Sequence, residues 1–333
     1  MPRALIVAPS WIGDTILAQP LFARLKAAGL ELEALAPPWV APVLSRMPEI
    51  GKITASPFAH GQLALKSRYR LARQLAAQRY DRAYILPNSL KSALIPFLAG
   101  IPERIGFVGE SRYGLVNRRH RLDKTALPLM VERYAQLAER PGTPLTRPVE
   151  PPRLVSTAEQ QAAALAALGL NATRRPIVFC PGAEYGPAKR WPAKHFAILA
   201  NALAELGHDI WLLGSPKDAA IANAIVKLAP EACTNLCGKT ALEQAIDLMA
   251  GAELVVCNDS GLMHVAAALA RPLVALFGSS SPAFTPPLSS RATVLSLGLE
   301  CSPCFERECP LGHFDCLNKL MPARVLETCL SYL

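Results

Sequence analysis

Four stretches of the chain carry side chains suited to chemistry, each placed beside an apolar run. The first is Pro9-Ser10-Trp11-Ile12-Gly13-Asp14, which follows Leu5-Ile6-Val7-Ala8. A carboxylate at the carboxyl end of a strand can remove a proton from an attacking hydroxyl within hydrogen-bond reach. Gly13 lets the chain turn sharply or pass close to a ligand. The plainer reading makes Asp14 an N-cap for a helix over 15–28; no Glu or Gln stands three residues on, so a capping box is absent. This loop lacks G-x-G-x-x-G, which speaks against a nicotinamide-dependent oxidoreductase.

The second stretch is Pro181-Gly182-Ala183-Glu184-Tyr185-Gly186-Pro187-Ala188-Lys189-Arg190-Trp191-Pro192. Two adjacent cations in such a loop suit a phosphate, because Lys and Arg supply charge-assisted donors; a solvated surface loop is the alternative. The third is Cys257-Asn258-Asp259-Ser260-Gly261-Leu262-Met263-His264. Free N–H groups at a helix start bind anions, and Asp259 suits either sugar hydroxyls or a capping role. His264 falls one turn into that helix, where a lone His is more often a packing residue. Gly278-Ser279-Ser280-Ser281-Pro282 reads as a further donor-rich helix start. The fourth is Cys301-x2-Cys304-x4-Cys309-x6-Cys316. Four thiols this close can close a tetrahedral zinc site. Only one C-x-x-C is present, so reduced packing thiols stand as the alternative.

These stretches need elements to hold them. Apolar patterning predicts strands at 4–8, 32–35, 83–86, 177–180, 210–213, 254–257 and 273–277. It predicts helices at 15–28, 68–78, 91–99, 157–168, 193–206, 218–228, 242–250 and 261–269. Such alternation implies parallel sheets of βαβ units. The proline-rich segment 141–153 reads as a joint, since proline fixes φ and removes a donor. The expected division is 1–155, 156–318, and a C-terminal helix in 319–333 that packs back on the first domain. Open α/β sheets bind ligands at the carboxyl ends of their strands, so two such lobes facing one another would form a cleft.

At 333 residues the length favours two domains. Apolar residues at 51% against 18% charged exclude disorder as the main state, and length excludes a disulfide-stapled mini-protein. No apolar run approaches the ~18 residues of a spanning helix; 262–278 is broken by His264, Arg271 and Pro272. The short apolar start has no small-residue cleavage site after it, so no secretory signal is expected. Nine cysteines, an odd number, fit a reducing, cytosolic compartment. Between His60 and Lys124 thirteen Lys or Arg face four acids, so this segment alone carries the whole net charge of +9. Such a face attracts nucleic acid, an anionic membrane or a phosphorylated substrate, unless the arginines merely solvate helix faces.

Ser10-Trp11-Ile12-Gly13-Asp14, the 181–192 loop, Asn258 to His264 and Cys301 to Pro310, in that order, resemble the lipopolysaccharide heptosyltransferases of glycosyltransferase family 9. The Tyr185–Pro192 stretch and the Cys-rich tail are similar to the type II members rather than type I. The resemblance spans nearly the whole chain. It implies an α/β GT-B glycosyltransferase of two Rossmann-like domains with parallel sheets facing a cleft. Such enzymes move L-glycero-D-manno-heptose from ADP-heptose onto heptosyl-Kdo2-lipid A with inversion, and no cofactor or metal is obligatory. It implies Asp14 as the base and Lys189 as the group that offsets charge on the diphosphate, with Arg190 assisting. Gly13, Glu184, Tyr185, Asp259, Ser260, Gly261 and His264 would bind the nucleotide sugar, and Asp218 its ribose. Lys66, Arg68, Arg70, Lys91 and Arg112, in the first domain, would meet the anionic acceptor. A monomer is expected, in transient contact with the cytoplasmic face of the inner membrane. A type I heptosyltransferase or another ADP-sugar transferase of the same fold is one alternative, and a polyanion binder without transferase activity is the rival from another class. Aromatics at 6% do not interleave with the basic residues, and nucleic acid is not expected as a partner.

Overall fold

Short runs of Val, Ile, Leu and Ala cannot stay in water, and here they pair into two parallel sheets. A computed structural model describes residues 1–58, 62–171 and 174–333; His60, where the basic segment opens, lies outside the described residues. The chain divides into Met1–Pro152 and Arg153–Leu333, and the break falls inside the proline-rich joint. In the first unit the strands are β1 (Arg3–Val7), β2 (Glu31–Ala36), β3 (Ile50–Ala55), β4 (Arg82–Ile85), β5 (Glu103–Phe107) and β6 (Arg118–His120), in the order β3-β2-β1-β4-β5-β6. The second unit has β7 (Ile177–Cys180), β8 (Ile210–Leu212), β9 (Cys233–Asn235), β10 (Leu254–Asn258), β11 (Leu273–Leu276) and β12 (Ala292–Leu295), in the order β12-β11-β10-β7-β8-β9. Every pairing is parallel.

Both sheets follow one plan. The chain starts in the middle, winds outward one way, then returns to wind the other way. The direction switches between β1 and β4 in the first unit and between β7 and β10 in the second. At a switch point the two neighbouring loops diverge and open a crevice beyond the strands' carboxyl ends. The loop before Asp14 leaves one switch point. The Lys189 and Asp259 loops leave the other.

The seven predicted strands are all present, each within a residue of its expected ends. They are the inner, nearly fully buried strands, whose sequences are unbroken apolar runs. Five strands carried no such signal. Of these, β3, β6, β9 and β12 are edges with half-exposed side chains, and β5 is Glu-Arg-Ile-Gly-Phe, polar in its first half. The helix expected over 15–28 is two, Ile12–Leu17 and Gln19–Ala27, parted at Ala18. Pro20 explains the restart, because proline is tolerated only in a helix's first turn. The helix expected from 218 opens instead as a 3-10 turn, Pro216–Asp218, before Ala219–Leu228. No helix follows Gly278; Gly278 to Ser280 form a bend. In the C-terminal helix Pro322–Leu330, Val325 and Cys329 belong to the core of the second unit, with Phe179, Phe196 and Trp191.

Candidate active site

In the first unit, Asp14 is the third residue of helix Ile12–Leu17, and Trp11 is the N-cap. The capping reading is therefore corrected: Asp14 lies inside the first turn, where its charge suits the helix dipole. Gly13 is the residue before it in the same turn. One carboxylate oxygen, Oδ1, accepts a hydrogen bond from the Tyr134 hydroxyl at 3.3 Å. Burial raises the Asp14 pKa above the ordinary carboxylate range, and the Tyr134 bond works in the opposite direction. A carboxylate so placed is a stronger base than a solvated one.

In the second unit the residues converge on the switch point. The Lys189 ammonium ends the 3-10 turn Pro187–Lys189 and donates to Asp259 Oδ2 at 2.5 Å. The same oxygen accepts from the Ser280 hydroxyl. Asp259 is buried, so its charge needs both partners. Asn258, wholly buried at the end of β10, staples the two loops together. Its Oδ1 accepts from Trp191 N at 3.1 Å and its Nδ2 donates to Pro181 O at 2.7 Å. Ser260 stands at the N-cap position of helix Gly261–Ala268 without a side-chain capping bond, and Gly261 is the first helical residue. His264 is buried one turn in. Burial, with Lys189 nearby, lowers its pKa to about 4 against the pull of Asp259, so it is neutral at neutral pH.

The rest of the loop is organised around Tyr185. Its hydroxyl donates to Phe305 O at 2.7 Å. Its ring lies 5.0 Å from the Lys189 ammonium and 5.1 Å from the Arg307 guanidinium, a favourable place for cations. Gly182 is needed because a Cβ there would stand 2.2 Å from the Asp218 carboxylate. Asp218 therefore lies against this loop, accepting from Ser215 N and Oγ at 2.9 and 2.8 Å. Glu184 pairs with Lys217 at 2.5 Å in solvent, an arrangement that contributes little to stability. Arg190 donates to Ala183 O at 3.2 Å, and its Nε is buried without a partner.

The basic segment divides sharply. Lys66 and Arg70 are exposed on helix Leu65–Ala76, and Lys91 is half-buried. Arg68 and Arg112 are buried, which corrects their assignment to the acceptor. Arg68 donates to the carbonyls of Gln62, Leu63 and Lys91 and stacks 4.1 Å from the Phe58 ring. Arg112 donates to Pro87 O at 2.7 Å, to Asn88 Oδ1 at 3.1 Å and to Phe107 O. Both guanidiniums thus tie loops of the first unit together. Arg112→Ala leaves those buried acceptors without their donor, and the expected cost is about 3 kcal/mol of stability. Differential scanning calorimetry checks this; an unchanged Tm would return Arg112 to the surface chemistry.

Cys301, Cys304, Cys309 and Cys316 line one small cavity with Ser279 and His313. The Cys309 thiol accepts from Phe314 N at 3.4 Å, and the amides of that turn lower its pKa. Burial, and then the three other thiols, raise that of Cys316. Among the described residues no group of three or more His, Cys, Asp or Glu is placed to hold a metal ion.

Residues 68–315 match glycosyltransferase family 9 (heptosyltransferase). The chain belongs to that family. This family 9 glycosyltransferase is 46% identical to lipopolysaccharide heptosyltransferase 2 of Salmonella typhimurium, over 99% of this chain and 98% of the relative. It is also 46% identical to the Escherichia coli K12 protein of the same name, over 98% and 97%. The solved structure of E. coli ADP-heptose lps heptosyltransferase II superposes with a TM-score of 0.90 at 43% identity, covering 100% of this chain and 98% of that one. The two sheets are accordingly those of a GT-B-like enzyme. Sequence reading missed Tyr134, Ser280 and Asn258 as parts of the site. Asn258 and Ser280 stood within quoted motifs, whereas Tyr134 stood in none.

Proposed function

We propose that this family 9 enzyme moves L-glycero-D-manno-heptose from ADP-heptose onto the first heptose of the lipopolysaccharide inner core, heptosyl-Kdo2-lipid A. The observation that carries the reading is the 46% identity to lipopolysaccharide heptosyltransferase 2 along nearly the whole of both chains. The Lys189–Asp259–Ser280 network and the Asp14 carboxylate, which accepts from Tyr134 and forms no ion pair among the described residues, supply the chemistry it needs.

The transfer is a single displacement with inversion. Asp14 accepts the proton of the acceptor hydroxyl as that oxygen bonds to the anomeric carbon. The bond from that carbon to the ADP oxygen breaks, and negative charge gathers on the diphosphate. Lys189, held in place by Asp259, offsets that charge where it develops, and Arg190 assists. The start of helix Gly261–Ala268 offers its free N–H groups to the same anion. Glu184, Tyr185, Asp218, Ser260 and His264 shape the donor site, with Asp218 on the ribose. The step requires no metal. The first unit serves the acceptor and the second the nucleotide sugar.

Lys66, Arg70 and Lys91 meet the acceptor's phosphates and carboxylates. Replacing Lys66 and Arg70 together by alanine should raise the acceptor KM about tenfold, with donor KM and Tm unchanged, since exposed cations contribute little to folding. Steady-state kinetics against both substrates checks this; equal effects on the two KM values would point to general damage. No helix among the described residues is long and apolar enough to cross a membrane. The glycolipid acceptor brings the enzyme, as a monomer, to the cytoplasmic face of the inner membrane.

The deciding assay supplies purified enzyme with ADP-heptose and acceptors bearing zero or one heptose, and reads products by mass. One added heptose on the one-heptose acceptor alone is expected. Addition only to the heptose-free acceptor would make this a type I enzyme, and no addition to either would overturn the reading.

A further inference from the structure

We propose that Tyr134 is a positioning residue for the base: its hydroxyl holds one oxygen of Asp14 so that the other faces the acceptor hydroxyl. This rests on the transfer proposed above. A base acts only when it lies within hydrogen-bond reach of the proton it removes. An aspartate's carboxylate turns freely, because its terminal torsion has broad wells. Something must therefore fix it, as a third group fixes the base in other activated pairs. No Lys, Arg or His among the described residues forms an ion pair with Asp14. Tyr134 is its side-chain partner.

The partner is built to stay in place. Tyr134 stands on helix Met130–Ala135, which packs against both Ile12–Leu17 and Gln19–Ala27. The start of that helix is tied down through Glu132, which accepts from Leu129 N at 3.3 Å and from Arg147 Nε at 2.9 Å. The Tyr134 ring is 9% exposed. At 3.3 Å its bond to Asp14 is long, which leaves room to tighten once the acceptor draws on the free oxygen. The phenol remains a donor throughout, because burial and the neighbouring Asp14 charge push its pKa well above the usual range. Other charged groups on the packed elements have their own partners or face solvent. Arg24 pairs with Glu139 at 3.2 Å and Glu132 with Arg147 at 2.8 Å. Arg133 donates to Leu127 O at 3.0 Å, and Lys26 is exposed.

The test is Tyr134→Phe, which removes one oxygen and keeps the buried ring. A phenol donating to the ionised carboxylate favours that form, so its loss raises the Asp14 pKa. The acid limb of kcat against pH should move to higher pH, and plateau kcat should fall about tenfold, with donor KM unchanged. The Asp14 carboxyl is followed separately by its carbon-13 shift, assigned by difference from Asp14→Asn. This titration should move upward in Tyr134→Phe whether or not a transfer assay is available. If wild-type enzyme transfers no heptose, the proposed function fails while the titration still reports on the bond. If transfer is intact and both the limb and the titration stay put in Tyr134→Phe, the positioning role is overturned.

Discussion

Asp14→Asn should lower kcat by about 10²–10⁴-fold, the usual contribution of a general base, while the affinity for ADP stays near wild type. The substitution keeps the size of the side chain and its bond from Tyr134, so folding should hold. Asparagine cannot take the proton, and the acceptor oxygen must then attack as a neutral hydroxyl. Donor affinity should survive, because the proposed donor site is built on Lys189 and Asp259 of the second unit. The wild-type pH profile carries the same signature. Burial raises the Asp14 pKa, so activity should fall with decreasing pH at a higher value than a solvated carboxylate would show. Wild-type turnover by Asp14→Asn on saturating acceptor would remove the residue from the chemistry.

Lys189→Ala should have the second largest effect, about 10²–10³-fold in kcat, the scale of losing one donor to a developing oxyanion, together with a raised donor KM. Two consequences follow from one geometry. The proposed contact between the ammonium and the diphosphate is lost, and Asp259 is left buried beside Ser280 with its cation gone. Breaking a buried pair from one side costs about 3–5 kcal/mol, so Tm should fall as well. Lys189→Arg separates the two effects: it keeps the charge against Asp259 and should restore Tm, while turnover recovers only in part, because a planar guanidinium does not replace an ammonium's geometry. Stopped-flow donor binding and calorimetry on both variants read these outcomes. Unchanged kinetics with ADP-heptose in Lys189→Ala would exclude the residue from the donor site.

Much of this was legible from the residues. Asp14, Lys189 and Asp259 each follow a central strand, and central strands announce themselves as unbroken apolar runs. Those strands also end at switch points, where ligands bind, so motif and fold point to the same loops. The edge strands were not legible, because half-exposed strands such as Ile50–Ala55 and Cys233–Asn235 mix polar and apolar residues. Tyr134 was out of reach for another reason. It meets Asp14 from 120 residues away, and nothing in Met130–Ala135 marks one residue of that helix as special. Charge counting over-assigned Arg68 and Arg112. A net positive segment does not reveal which guanidiniums are turned inward onto main-chain carbonyls.

The proposed reaction is a direct displacement at the anomeric carbon, with Asp14 drawing the acceptor's proton and Lys189 offsetting charge on the departing diphosphate. The most direct test is the anomeric configuration of the new linkage, read by NMR on the product made from ADP-β-heptose and the one-heptose acceptor. An α-linked heptose is the predicted result. A β-linked product would show retention, and with it a mechanism that a single displacement cannot produce.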